Sequence, residues 1–206
     1  MRLEEVTQRI LEMRKEMPTK QSLLVGISGI DASGKGYIAS KLSTSLPAEL
    51  NVAVVNADGW LNLPEVRFSG TDPGRHFYEN AFRLDEMFES LIVPLKQNAN
   101  VDLIAECLEE TSTAFQPQRY FYENIDIILL EGIFLFKRAY VPLLDLRIWI
   151  ECSFDVALQR AITRSQEGLS TDETISAYEN IYFPAQRLHF AIDQPNLAAD
   201  LLFNNS

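Results

Sequence analysis

The sequence is poor in the residue types that build redox and metal centres. Among its 206 residues it has two cysteines and two histidines, and Cys107 and Cys152 are too far apart for a C-x-x-C or zinc-ligand spacing. This argues against a disulfide framework and against a histidine-built metal site. We expect the thiols to be reduced, which favours a cytoplasmic protein.

The sequence also lacks an excess of positive charge and any long apolar run. Its formal net charge is −11, which argues against nucleic acid or a membrane surface as the main partner. No apolar run approaches the ~20 residues that span a membrane, and the mixed charges at the N-terminus are unlike those of a signal peptide. The apolar content is sufficient for one core, so we expect a single domain over 1–206.

A glycine-rich segment carries the strongest functional signal that is present. It lies between an apolar run at 23–25, which predicts a strand, and a helical pattern at 37–42. Gly29, Gly34 and Lys35 complete the pattern G-x-x-x-x-G-K of a phosphate-binding P-loop, in which backbone N–H groups, a helix N-terminus and a lysine cradle phosphates. A glycine-rich turn that merely caps a helix is the alternative. The predicted nucleotide-binding residues are Gly29, Ile30, Asp31, Ala32, Ser33, Gly34, Lys35, Gly36 and Tyr37.

The motif departs from the pattern at its last position. Gly36 stands where a serine or threonine hydroxyl normally ligates magnesium. We expect a weaker metal affinity, although magnesium keeps several waters and tolerates the loss of one protein ligand. We therefore predict that Gly36→Ser lowers the magnesium concentration that the protein requires.

Five strand patterns alternate with helical ones, which predicts an α/β fold with a parallel sheet covered by helices on both faces. Ser153 is expected to cap a helix, and Ser170 opens a capping box. Residues 61–80 are rich in proline and glycine and are predicted to form a long surface loop, whereas 107–123 have no clear assignment. The predicted strands are 22–27, 52–55, 103–105 as a short edge strand, 125–130, 146–150 and 199–203.

Three polar residues follow predicted strand ends, where parallel sheets bind their ligands. Lys35, Asp58 and Glu131 are therefore expected to converge. Asp58 is a candidate catalytic base or a magnesium ligand through water, with a turn residue as the alternative. Glu131 ends an apolar strand, as a Walker B acid does, and is a candidate to hold magnesium; a solvated strand end is the alternative.

Other candidates are less specific. Arg160 and Arg164 share a helix face and are candidates to shield developing phosphate charge, with an ordinary basic surface as the alternative. A second group consists of residues that are candidates to contact the acceptor from the predicted loop or to stack on a base or sugar. Surface exposure or core packing is the commoner role of such residues. This group is Trp60, Arg75, His76, Phe77, Tyr78 and Phe82.

The order of these motifs resembles that of the uridine kinases and their relatives, which include phosphoribulokinase and bacterial-type pantothenate kinase. The resemblance implies a three-layer P-loop NTPase fold with sheet order 2-3-1-4-5, ATP and Mg²⁺ as cofactors, and Asp58 as the catalytic base. The run Glu131, Gly132 and Ile133 matches a family motif, which adds Ile133 to the expected acceptor contacts. Residues 160–172 resemble the start of an arginine-rich lid, here short.

The departures from the family concern the acceptor. Tyr78 stands where the family has an acidic residue for the ribose hydroxyls, and the segment that reads the pyrimidine is absent from 105–123. We expect an ATP-dependent kinase that phosphorylates a hydroxyl of a nucleoside or another small acceptor. The alternative is a nucleotide-binding protein with little or no turnover. The choice between ATP and GTP and the oligomeric state, including a homo-oligomer, stay open.

Overall fold

The computed structural model describes residues 2–68, 70–108, 112–164 and 168–205. Within this part of the chain the strands are β1 (Leu23–Gly29), β2 (Val52–Asn56), β3 (Val101–Cys107), β4 (Gln116–Tyr122), β5 (Ile127–Glu131), β6 (Leu146–Glu151) and β7 (Leu201–Asn204). The α-helices of the same ranges are α1 (Leu3–Glu16), α2 (Lys35–Ser45), α3 (Pro64–Arg67), α4 (Pro73–Asn80), α5 (Leu84–Met87), α6 (Val93–Asn98), α7 (Phe154–Arg164), α8 (Thr171–Ala177), α9 (Phe183–Asp193) and α10 (Pro195–Ala198).

The central sheet has five parallel strands in the order β2-β5-β1-β6-β7. Counted among these five strands alone, the order is 2-3-1-4-5, as the resemblance implies; the chain labels differ because β3 and β4 lie outside this sheet. β1 and β5 are buried along their whole length, since helices cover both faces of the sheet. This burial explains why both strands appear in the sequence as continuous apolar runs.

Two apolar clusters hold the layers together, one on each side of the sheet. On one side, α1 and α2 place residues such as Val6, Ile10 and Leu42 against one set of strand side chains. The larger cluster on the other side packs residues of α4 to α7 and of α9 against the opposite set. None of the helices in the described ranges combines the length and apolar content that a membrane crossing needs.

The prediction of a long loop over 61–80 is wrong. The segment contains α3 and α4, and in each a proline, Pro64 or Pro73, lies in the first turn, where its missing N–H costs nothing. Asp72 caps α4 by accepting a hydrogen bond from the Arg75 amide at 3.1 Å. The prolines therefore start helices here instead of interrupting structure.

The two edges of the predicted sheet also need correction. The expected short strand at 103–105 is the middle of β3, which pairs antiparallel with β4 in a separate two-stranded hairpin; β4 occupies much of the unassigned 107–123. The apolar run at 52–55 predicts a buried strand, whereas β2 is an edge strand and is only partly buried, with Val54 42% exposed. The predicted caps are confirmed: the Val156 amide donates to Ser153 Oγ at 3.2 Å, and Ser170 forms its capping box.

Candidate active site

The glycine-rich segment forms a compact turn between β1 and α2. Gly34 is the N-cap residue of α2 and has a φ of +94°, a conformation that favours glycine. Lys35 is buried, and its Nζ donates a hydrogen bond to the Ile30 carbonyl at 3.0 Å. The lysine thus folds back over the loop that it follows, which places its charge at the loop's concave side.

A cavity of about 840 Å³ opens above this loop. Its wall is built from the loop, the ends of β2 and β5, one face of α7, and residues of α3, α4 and α9. The predicted site residues on the wall are Asp31, Ala32, Gly34, Lys35, Gly36, Tyr37, Asp58, Phe77, Phe82, Glu131, Ile133, Arg160 and Arg164. Three predicted nucleotide-binding residues, Gly29, Ile30 and Ser33, are not among the described wall residues.

Glu131 and Asp58 reach the cavity from neighbouring strands. In the β2–β5 register Asn56 pairs with Glu131, and Asp58 follows two residues later, where its amide donates to Asn56 Oδ1 at 2.7 Å. The sheet order therefore brings together two acids that lie far apart in the sequence. This confirms that the strand ends carry Lys35, Asp58 and Glu131 to one cavity.

The surrounding protein makes both acids harder to ionise. It raises the pKa of Glu131 to about 7, with further contributions from Asp58 and Asp31 and an opposing one from Lys35. Asp58 is accessible through the cavity, but the protein around it still raises its pKa, against the influence of Lys35. The two carboxyl groups are therefore poised to change protonation state when charge enters the cavity.

The residues at this end of the cavity fit a magnesium ion that is held jointly with phosphates. No cluster of three or more His, Cys, Asp or Glu side chains able to hold a metal exists in the described ranges. Magnesium bound with a nucleotide uses one or two carboxylates plus phosphate oxygens and water, which is what Asp58 and Glu131 offer. A Cβ atom at Gly36 would lie 3.3 Å from Glu131 Oε1, so the glycine leaves room for this carboxylate.

Arg160 supports the loop directly. Its guanidinium donates to the Ser33 carbonyl at 3.3 Å and to the Asn205 carbonyl at 2.7 Å. Asn205 in turn donates from Nδ2 to the same Ser33 carbonyl at 2.8 Å. Arg164 lies on the cavity wall, and its charge opposes the rise in the pKa of Asp58. Of the predicted lid at 160–172, residues 165–167 lie outside the described residues.

Four predicted acceptor contacts do not lie on the described cavity wall. Trp60 is fully buried and stacks on Tyr120, with ring centroids 5.9 Å apart. Arg75 forms exposed ion pairs on α4, and His76 Nε2 contacts the Val66 carbonyl at 2.6 Å. We do not propose these three as acceptor contacts.

Tyr78 is the fourth residue, and it faces away from the cavity. Its hydroxyl donates to Asp193 Oδ2 at 2.5 Å, and the same oxygen contacts His189 Nδ1 at 2.8 Å. The helical geometry of α4 explains the split, because successive residues point about 100° apart, and of the candidates on α4 only Phe77 is among the described wall residues. The prediction of a loop gave no indication that neighbouring residues of this segment face in different directions.

Several wall residues escaped the sequence analysis. One polar stripe on α7 has a helical spacing of four that was readable from the sequence, at Asp155, Gln159 and Thr163. Three more come from α3, from the turn before α9 and from α9 itself, which had no local signal of function: Arg67, Tyr182 and Gln186.

The chain is similar to known proteins along most of its length. The model of the phosphoribulokinase / uridine kinase family matches residues 24–186. The uridine kinase of Shewanella frigidimarina is 25% identical over 175 residues, which cover 82% of this chain and 81% of that protein. Uridine-cytidine kinase A of Dictyostelium discoideum is 26% identical over 171 residues, which cover 81% of this chain but 33% of that longer protein.

A solved structure extends the likeness to the fold. A protein of Silicibacter sp. TM1040, described as a candidate fructose transport system kinase, superposes with a TM-score of 0.77 at 21% identity, over 98% of this chain and 99% of that one. At this identity the comparison bears on the fold alone.

Proposed function

The chain belongs to the phosphoribulokinase / uridine kinase family, and from this premise we propose that it is an ATP-dependent kinase that phosphorylates a hydroxyl of a small acceptor. The family implies kinase activity, and the acceptor is part of the proposal. One observation supports it above the others: Lys35, Asp58 and Glu131 line a single cavity above the glycine-rich loop. A cytoplasmic location, supported by two free cysteines, and use of ATP with magnesium belong to the same proposal.

Each wall residue then has a chemical task. The acceptor oxygen attacks the γ-phosphorus, the bond to the β–γ bridging oxygen breaks, and ADP leaves. Asp58 takes the hydroxyl proton, a role that its raised pKa favours because a stronger base accepts a proton more readily. Lys35 and Arg164 offset phosphate charge as the transfer proceeds. Catalysis of this kind consists mainly of positioning and electrostatic stabilisation.

Magnesium, when bound, neutralises phosphate charge and orients the phosphate chain. Glu131 and Asp58 are the carboxylates that would hold it. Asp31 accepts a hydrogen bond from Tyr178 at Oδ2 and one from the Ala32 amide at Oδ1, at 2.9 Å, so both of its carboxylate oxygens are already engaged within the protein. We therefore leave Asp31 out of the metal site.

Substitution of the proposed base tests the function. In Asp58→Asn we expect phosphoryl transfer to fall about 10²- to 10⁴-fold, while the Kd for ATP stays within a factor of about three. Asp102→Asn on the exposed β3–β4 hairpin is the control and should behave as wild type. ADP release with a panel of hydroxylated acceptors, corrected for basal hydrolysis, measures transfer. A wild-type protein that binds ATP but phosphorylates no acceptor would favour a nucleotide-binding module instead.

A further inference from the structure

We infer that Gln186 of α9 recognises the acceptor, and that it pairs with two neighbouring hydroxyl groups of an uncharged molecule: a sugar, a polyol or the ribose of a nucleoside. The inference rests on the proposed function, because it assigns a substrate class to the same cavity. It starts from one polar side chain that is buried without hydrogen-bond partners among the described residues.

Gln186 is 2% exposed and lies on the cavity wall. Neither its Nε2 nor its Oε1 has a hydrogen-bond partner among the described residues. An unsatisfied buried polar group costs about 1–3 kcal/mol, and folded proteins leave few of them. A carboxamide that the protein leaves unpaired beside a cavity is explained if a ligand completes its hydrogen bonds.

The backbone around Gln186 is held firmly. A π-helical turn (Tyr178–Tyr182) leads directly into α9, and such turns are frequent at functional sites. Two residues before Gln186, Pro184 packs so closely on α4 that a Cβ added at Gly74 would lie 2.5 Å from its Cβ. The tight α4–α9 contact thus fixes which face of α9 meets the cavity.

The chemistry of the carboxamide restricts the ligand. It offers a donor at Nε2 and an acceptor at Oε1, side by side. A carboxylate or phosphate only accepts, so it would leave Oε1 unsatisfied and facing negative charge. Two adjacent hydroxyls satisfy both atoms, because one accepts from Nε2 while the other donates to Oε1.

The neighbouring rings favour a sugar over the flat edge of a base. Phe77 and Tyr182 line the cavity beside Gln186, but they pack edge to face, with centroids 5.0 Å apart and planes at 61°. Phe77 also stacks on Phe68 at 5.9 Å. These rings pack on one another and do not form a parallel slot for a base, whereas their edges and faces suit the C–H groups of a polyol.

Two substitutions test this assignment. Gln186→Leu removes both hydrogen-bonding atoms, and Gln186→Glu keeps the shape but replaces the donor with an acceptor. The probes are three diols, each with an analogue that lacks one hydroxyl: glycerol and 1,3-propanediol, D-ribose and 2-deoxy-D-ribose, uridine and 2′-deoxyuridine. The readouts are kcat and KM for ADP release and the Kd for a non-hydrolysable ATP analogue. Gln97→Leu, on the exposed side of α6, is the matched control.

We expect wild type to prefer at least one diol over its analogue by about 100-fold or more in kcat/KM. Gln186→Leu should raise KM for the diol and so reduce that preference to less than about fivefold. The Kd for the non-hydrolysable ATP analogue should not change. Gln186→Glu should keep most of the preference, because rotatable hydroxyls can donate to both carboxylate oxygens. If Gln186→Leu and Gln186→Glu lose the preference for the diol equally, the acceptor presents a fixed donor–acceptor edge, and the diol assignment is overturned. A Gln186→Leu variant that keeps the full preference would also overturn it.

Thermal unfolding separates recognition from a structural role. Without ligand, Gln186→Leu should unfold at the wild-type temperature or above it, because leucine replaces an unpaired amide. A fall of several degrees would show that the amide supports the fold, and would overturn the inference. If the wild-type protein binds ATP but phosphorylates none of the diols, the inference about Gln186 is wrong and the proposed function is not affected. If it does not bind ATP, the proposed function is wrong.

Discussion

Glu131 is a carboxylate at the end of β5 whose burial raises its pKa to about 7, from an ordinary value of 4.5. The folded protein therefore binds this proton more tightly than the unfolded chain does. The resulting stabilisation is complete below about pH 4.5 and is lost as the pH rises through about 7. At neutral pH the ionised form of Glu131 destabilises the ligand-free fold, which is consistent with a site that binds a positively charged group.

We predict that Glu131→Gln changes stability in a pH-dependent way. Glutamine cannot ionise, so the variant should match wild type at about pH 4 and gain about 1–3 kcal/mol in the free energy of unfolding at about pH 8. Urea denaturation at both pH values measures the difference. Glu123→Gln, at an exposed position, should show no such pH dependence. A variant less stable than wild type at the higher pH would contradict the sign of this argument.

Gly36 poses a second question at the residue scale, because Glu131 Oε1 occupies the space beside it. A serine there supplies a hydroxyl ligand, but its Cβ must first displace the carboxylate by a few tenths of an ångström. Gly36→Ala isolates that steric effect. We predict that Gly36→Ser needs about tenfold less magnesium than Gly36→Ala for half-maximal binding of an ATP analogue, and less than wild type. Superimposable titrations of the three proteins would remove the hydroxyl from the explanation.

At the scale of elements, the residue that follows β7 holds the glycine-rich loop. Asn205 donates to the Ser33 carbonyl at 2.8 Å, and its Nδ2 lies 2.5 Å from where a Cβ of Gly34 would be. The Arg160 side chain from α7 bonds both Ser33 and Asn205. Side chains from α7 and from the end of β7 thus fix one carbonyl of the loop that we propose binds phosphate.

We predict that Asn205→Ala weakens ATP binding without unfolding the protein. One lost hydrogen bond of about 1 kcal/mol corresponds to about a fivefold rise in Kd, measurable by calorimetry. Asn98→Ala, which removes an exposed amide that bonds the Pro94 carbonyl on α6, is the control. If Asn205→Ala binds ATP as wild type does, the contact contributes only to chain packing.

The elements also show what the sequence could predict. β1 and β5 were predictable because strands buried on both faces are apolar throughout. β4 was not, since five of its seven positions are exposed and polar residues interrupt any apolar run. The acids at strand ends were predictable from the rule for parallel sheets. Gln186 was not, because its importance depends on α4 packing against α9, and no local pattern encodes that contact.

For the whole molecule, charge on the cavity wall contrasts with the net charge. The chain carries −11, whereas the described wall balances four basic residues against four acids. The basic residues are Lys35, Arg67, Arg160 and Arg164, and the acids are Asp31, Asp58, Glu131 and Asp155. A triphosphate entering a wall of balanced charge brings excess negative charge, so a divalent cation is needed to offset it.

This balance leads to a prediction about the stability of the entire chain. If 1–206 is one domain, heating should give one transition, and a non-hydrolysable ATP analogue with magnesium at 100 times its Kd should stabilise the fold by about 2.7 kcal/mol. EDTA should remove most of this gain, because the wall alone does not offset the phosphate charge. Lys35→Met should abolish it by removing the buried cation of the loop. Two transitions, only one of which shifts with the ligand, would mean that the chain has two domains. A stabilisation by the ligand that survives EDTA would mean that the protein alone supplies the positive charge that offsets a triphosphate.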